Sequence, residues 1–202
     1  MEQHRVLEIV LLTEDLCPIN SYTRNTVNLE TRAQNIRIVA TDIDGVLTDG
    51  RLYYPMEGGP HCKAFHVRDG AAIKWLQAES IPVAFITGLI SDSVRQRAED
   101  LAILDCFMGV VDKTQSLEIL LEKYQCTWDQ VAYLGDDLPD LPILQRVGLA
   151  ACPSDACAEV RVRVHHIFPE VGGSGVLRSL AEMILKAQGI WEPRVTHYEP
   201  KH

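Results

Sequence analysis

Two aspartates, Asp42 and Asp44, stand where the apolar run Ile38-Val39-Ala40 breaks off in "RIVATDIDGVLTDG". Like charges two positions apart at the end of a buried strand repel each other, so the pair calls for something bound between them. Thr87-Gly88 closes another apolar run, Asp112-Lys113 follows a third, and Gly135-Asp136-Asp137 follows a fourth. Any one of these is ordinary, because Asp and Gly turn chains. Four on one edge are not. Hard oxygen donors without His or Cys suit Mg²⁺, which takes one or two carboxylates, waters and substrate phosphate. A carboxylate can attack phosphorus. A second one two residues on points the same way and can pass a proton to the leaving oxygen. Lys113 and Thr87 can then offset charge on the phosphoryl oxygens.

The elements that must carry these groups follow from the hydrophobic pattern. Buried strands are predicted over residues 36–42, 82–87, 104–110 and 131–135, with a shorter one over 148–152. Helices are predicted over 70–79, from Ser91 to about Leu101, over "KTQSLEILLEKY", near 141–147, and from the "GGSG" segment to Gly189. Strands alternating with helices imply a Rossmann-like α/β fold, a parallel sheet with helices on both faces. Ligands bind such a sheet beyond the carboxyl ends of its strands. "GRLYYPMEGGPHCKAFHV" breaks the rhythm and reads as a β-hairpin inserted after the first strand. Residues 1–35 are predicted to be a poorly structured or peripheral extension, with 6–12 a short helix or loose segment; 36–190 form the domain and 191–202 a tail.

Length and composition bound the rest. The 202 residues suffice for one sizeable core. Nineteen basic against twenty-eight acidic residues give a net charge of -9, which argues against nucleic acid or an anionic membrane as partner. Six cysteines without regular spacing point to reduced thiols and a cytoplasmic protein. No apolar run approaches the roughly 20 residues of a membrane span. Trp75 is expected in the core or a subunit interface. Arg161 and Arg163, alternating with valines in "EVRVRVHH", are expected on the polar face of an edge strand, where His165 and His166 point to opposite faces and cannot share a metal. "GGSG" lacks the spacing and Lys of a phosphate-cradling loop and is expected to permit a tight approach to the final helix.

Together "DIDGVLTDG", "ITG", "VVDK" and "YLGDDLPDLPIL", in this order and spacing, resemble the four motifs of the haloacid dehalogenase superfamily of phosphatases. The resemblance runs from about Ile36 to Gln188 and, with only a hairpin after the first motif, is to the small-cap branch. It implies a Mg²⁺-dependent phosphatase working through a phospho-aspartyl intermediate. Asp42 would be nucleophile and metal ligand; Asp44 would be acid/base, touching substrate, with its backbone carbonyl on the metal. Thr87, Gly88 and Lys113 would hold the phosphoryl group, Asp136 would complete the metal site and Asp137 would brace it. His66, Val67, Arg68, Asp69, Gly70, Lys74 and Arg97 would contact substrate. "KAFHVRDGAAIK" is similar to the substrate loop of enzymes cleaving a sugar-acid phosphate, 3-deoxy-D-manno-octulosonate 8-phosphate in lipopolysaccharide synthesis, rather than a nine-carbon acid 9-phosphate. Such proteins are usually homotetramers. The resembled enzymes commonly carry Arg after the "TG"; Leu89 stands here, leaving Arg95 as a possible substitute. A receiver-like phospho-acceptor domain fits less well, since its acceptor follows an acidic pair on an earlier strand. A catalytically silent assembly subunit is the remaining alternative.

Overall fold

The computed structural model describes residues 28–200. Residues 6–12, expected as a helix or loose segment, and Cys17 lie outside them. In chain order the elements are α1 (Leu29–Gln34), β1 (Ile38–Thr41), α2 (Val67–Ala78), β2 (Val83–Thr87), α3 (Asp92–Asp100), β3 (Asp105–Met108), α4 (Lys113–Tyr124), β4 (Val131–Leu134), α5 (Leu141–Leu144), β5 (Leu149–Cys152), α6 (Ala158–Arg161), β6 (His166–Ile167), α7 (Val176–Ala187) and α8 (Trp191–His197). The six strands form one parallel sheet in the order β3-β2-β1-β4-β5-β6.

Strand β1 thus sits mid-sheet, paired with β2 through Val39–Val83 and with β4 through Ile38–Val131. Its side chains alternate between two apolar layers. Val39 joins Phe85, Leu134, Ile73 and Leu180 on the face covered by α2, α3 and α7. Ile38 and Ala40 join Ile86, Tyr133, Leu117 and Ile143 on the face covered by α4 and α5. Being buried on both sides is why these strands read as continuous apolar runs rather than as alternations. The same alternation turns Asp42, in phase with Ile38 and Ala40, toward α4 and Tyr133.

Three segments differ from the sequence expectations. The hairpin after β1 is reduced to one antiparallel bridge, in which Tyr53 N–H donates to the Cys62 carbonyl at 3.1 Å and Cys62 N–H donates back at 2.8 Å. Residues 159–163 are not an edge strand: Ala158–Arg161 is the single helical turn α6, with Val160 buried, and the edge strand is only His166–Ile167. Valines 160, 162 and 164 alternate as on one face of a strand, but Val160 is buried while Val162 is exposed, which a shared strand face would not allow. The segment at 29–34, within the region expected to be peripheral, is the helix α1. Arg32 Nη1 donates to the Gly148 carbonyl at 2.7 Å, and Gln188 Nε2 just after α7 donates to the Ala33 carbonyl at 3.4 Å, which tie α1 to the domain.

At the other end, α8 folds Trp191 edge-on to Trp75 at 5.8 Å, and the Arg178 guanidinium lies over the Trp75 ring at 4.1 Å. Trp75 therefore packs within the chain. The glycines of "GGSG" permit a tight approach, but to the loop after β1: a Cβ on Gly172 would lie 2.1 Å from the Gly45 carbonyl oxygen, and one on Gly173 2.7 Å from the Asp49 nitrogen. Among the described residues no helix is long and apolar enough to cross a membrane, and the five described cysteines are free thiols.

Candidate active site

The parallel register delivers β1, β2, β4 and the start of α4 to one edge of the sheet. Asp42 follows β1 directly, and its N–H continues the ladder by donating to the Leu134 carbonyl at 2.9 Å. Lys113 opens α4, behind an Asp112 N-cap whose carboxylate accepts from Thr114 N–H at 3.0 Å. Its ammonium is buried between Asp42 Oδ1 at 2.9 Å and Asp140 Oδ1 at 2.7 Å. Asp140 is held from every side. Tyr133 Oη donates to its Oδ1 at 2.7 Å, and the backbone N–H groups of Asp136 and Asp137 donate to its Oδ2 at 3.0 and 3.3 Å.

One carboxylate oxygen each from Asp42, Asp136 and Asp140 lie within 4.8 Å of one another. Asp136 Oδ1 is buried with no hydrogen-bond partner. Burial and then the charge of Asp140 push the Asp42 carboxyl up to about 6, against the pull of Lys113. Burial and then the charges of Asp42, Asp140 and Asp137 push Asp136 up to about 8. Lys113 is raised: burial, its largest single influence, pulls it down, and Asp42 with Asp140 outweigh that. Crowded hard oxygens, one of them unpartnered, are the donor set a divalent cation takes. The residues present fit a Mg²⁺-type ion on Asp42 and Asp136, with Asp140 beside them.

On the other side of Asp42, Asp44 Oδ2 accepts from the Thr87 hydroxyl at 3.2 Å, and Asp44 Oδ1 receives the Lys63 ammonium at 2.5 Å. The structure therefore brings together Asp42, Asp44, Thr87, Lys113 and Asp136, with Gly88 adjoining Thr87. It adds Lys63, Tyr133 and Asp140, which the sequence reading passed over. Asp140 lies four residues beyond Asp136, at the end of the single 3-10 turn Leu138–Asp140, and no spacing rule singles it out. Lys63 opens the substrate-loop stretch "KAFHVRDGAAIK", but a lone Lys in a polar hairpin arm looks like solvated surface.

The predicted substrate residues divide. His66 caps α2, its Nδ1 accepting from Arg68 N–H at 3.3 Å, and Arg97 Nη2 donates to the His66 carbonyl at 3.2 Å. Gly70 leaves room for that guanidinium, which a Cβ would meet at 2.5 Å. Asp69 turns instead into the α2–α7 packing, where it accepts from Arg178 N–H at 2.8 Å and burial pushes it up to about 6. Val67 and Arg68 are exposed. Lys74 is exposed and, seven residues into α2 after Val67, roughly 10 Å down the helix axis from the sheet edge. Asp137 is exposed and caps the turn Leu138–Asp140. Arg95 is exposed and faces Asp92 at 3.9 Å, and Leu89 is half exposed.

The chain has relatives among known proteins. A family profile described as haloacid dehalogenase-like hydrolase matches residues 98–180. The 3-deoxy-D-manno-octulosonate 8-phosphate phosphatase KdsC of Haemophilus influenzae is 40% identical over 161 residues, covering 80% of this chain and 89% of that protein. The structure of the Moraxella catarrhalis 3-deoxy-D-manno-octulosonate 8-phosphate phosphatase, in complex with a magnesium ion, a phosphate ion and KDO, superposes with a TM-score of 0.82 at 34% identity. The match covers 85% of this chain and 98% of that one. A probable YrbI family phosphatase from Pseudomonas syringae superposes with the same TM-score of 0.82 at 42% identity, over 86% of this chain and 98% of that one.

Proposed function

The chain belongs to the haloacid dehalogenase-like hydrolases, and on that footing we propose that it hydrolyses 3-deoxy-D-manno-octulosonate 8-phosphate to the free sugar acid and phosphate. The observation that carries the chemistry is Asp42, buried at the end of the central strand, with the Lys113 ammonium 2.9 Å away and a carboxylate oxygen of Asp136 within 4.8 Å. Curated relatives at about 40% identity that carry this activity support the substrate.

The steps follow from the side chains. Asp42 attacks phosphorus, and the bond from phosphorus to the sugar oxygen breaks as Asp44 gives that oxygen a proton. Water then attacks the phospho-aspartyl group and yields a proton to Asp44, and the bond from phosphorus to Asp42 breaks to release phosphate. Lys113 and Thr87 carry the negative charge that spreads over the phosphoryl oxygens. A magnesium ion held by Asp42, Asp136 and the Asp44 carbonyl, braced by Asp137, would supply further neutralisation of that charge when bound. His66 and Arg97, at the start of α2, and the exposed Arg68 bind the sugar acid, with Val67, Asp69 and Gly70 shaping that loop. Lys74 contributes only if a neighbouring subunit brings substrate to it.

Side-by-side phosphate release, with and without Mg²⁺, tests this reading. The eight-carbon 8-phosphate is expected to turn over faster than N-acylneuraminate or KDN 9-phosphate; the reverse order would overturn the substrate, and full activity after chelation would overturn the metal. The protein is cytoplasmic and a homotetramer in this reading. Support for the assembly comes from the arms beside the Tyr53–Cys62 bridge, where Leu52, Tyr53, Tyr54 and Met56 are exposed. Light scattering should give about four times the 22.6 kDa chain mass; a monomer mass would exclude the tetramer.

A further inference from the structure

Lysine is almost never fully buried unless paired, and the Lys63 side chain is 0% exposed with its ammonium 2.5 Å from Asp44 Oδ1. Nothing in the steps above uses it. It lies one residue beyond Cys62, on the returning arm of the segment inserted after β1, and reaches the site from outside the sheet. With the Thr87 hydroxyl on Oδ2 at 3.2 Å, both oxygens of Asp44 are anchored, from segments 19 and 43 residues away in sequence. A buried ion pair adds little net stability, because desolvation offsets the attraction. What such a pair does supply is a single geometry.

Resting on the reading that Asp44 moves the proton, we propose that Lys63 is a positioning residue that holds the Asp44 carboxyl in the one orientation from which it can serve the leaving oxygen and then the attacking water. Because the ammonium arrives on the inserted arm, the orientation of Asp44 depends on where that arm sits.

The test uses two leaving groups. A sugar alkoxide leaves from phosphorus only with a proton, whereas p-nitrophenolate leaves without one. Wild type, Lys63→Met, Lys63→Gln, Lys63→Arg and Asp44→Asn are mixed rapidly with 3-deoxy-D-manno-octulosonate 8-phosphate or with p-nitrophenyl phosphate, in Mg²⁺, and the first turnover is timed. Lys63→Met is expected to slow the sugar phosphate about 100-fold, with KM changed less than about threefold. The p-nitrophenolate burst should slow at least about ten times less. Lys63→Arg, which keeps the charge, should recover at least about tenfold of the loss on the sugar phosphate. Combining Lys63→Met with Asp44→Asn should cost no more than Asp44→Asn alone, because the two act as a unit. Lys63→Gln keeps a hydrogen bond and no charge, and carries the comparison should Lys63→Met not fold.

Equal slowing on both substrates, or none on either, would overturn the role of Lys63. Failure of the underlying reading looks different: wild type would release phosphate from neither substrate, or Asp44→Asn would match wild type.

Discussion

Asp42→Asn is expected to abolish phosphate release, by about four orders of magnitude or more, and at the same time to raise the stability of the metal-free protein. The two effects have one cause. Asp42 is 7% exposed and crowded by Asp136 and Asp140, and its ionised form is disfavoured by burial and by those neighbours. The amide is nearly the same size and carries no charge, so the crowding is relieved while Lys113 keeps its partner Asp140 at 2.7 Å. The nucleophile is lost outright, since an amide oxygen does not form the phospho-aspartyl bond. Phosphate release and thermal unfolding, both measured with and without Mg²⁺, check it. Wild type should gain more from Mg²⁺ than the variant does, because only wild type offers the full set of carboxylates. Retained activity in Asp42→Asn would refute the nucleophile, and a less stable metal-free variant would refute the account of strain in the cluster.

Lys113→Met should produce the opposite stability effect. The methionine fills the space, but Asp42 and Asp140 lose the ammonium that lies between them, at 2.9 and 2.7 Å. Breaking a buried pair by removing one partner costs about 3–5 kcal/mol. The loss of a charge facing the phosphoryl oxygens should lower kcat about 100- to 1000-fold. The cost should depend on pH with a definite sign. The Asp42 carboxyl already sits at about 6, above its ordinary 3.8, and losing Lys113 raises it further. The folded state then holds a proton that the unfolded state gives up, so the variant's stability falls as pH rises from about 4 upward. Urea unfolding at pH 5 and pH 8 reads this directly: the gap from wild type should be wider at pH 8, and Mg²⁺ should narrow it. A gap that is equal at both pH values would show that the carboxylates do not govern it.

Most of this candidate site was legible in the sequence because each group sits where an apolar run stops. In a doubly covered parallel sheet that stop is also where the strand emerges, so Asp42, Thr87 and Asp136 announce both element and site. The start of α4 at Lys113 fell where the pattern put it, since "KTQSLEILLEKY" carries its own period and an N-cap Asp. What the sequence hid has physical reasons. Lys63 gains its meaning from a tertiary contact across 19 residues with Asp44. Asp140 lies in "GDDLPD", where three acids in five positions do not reveal which one turns inward; the network to Tyr133 and Lys113 selects it. α1 is six residues long, too short to display a helical period, and α6 is a four-residue turn that valine alternation disguised. Lys74 and Arg95 fall on exposed stretches of α2 and α3, where motif spacing gives no depth.

The mid-sheet place of β1 also bears on the birth of the protein on the ribosome. The strand carrying Asp42 is the first of the six to be translated, yet its second neighbour, β4, follows about 90 residues later. At about 5–20 residues per second that is a wait of roughly 5–20 s during which one strand edge stays bare. Asp140 and the Gly172–Gly173 cradle under the Gly45–Asp49 loop are later still. A nascent chain therefore holds no complete candidate site until residues 172–173 have emerged, and until β4 arrives the unpaired edge of β1 is open to chaperones or to aggregation.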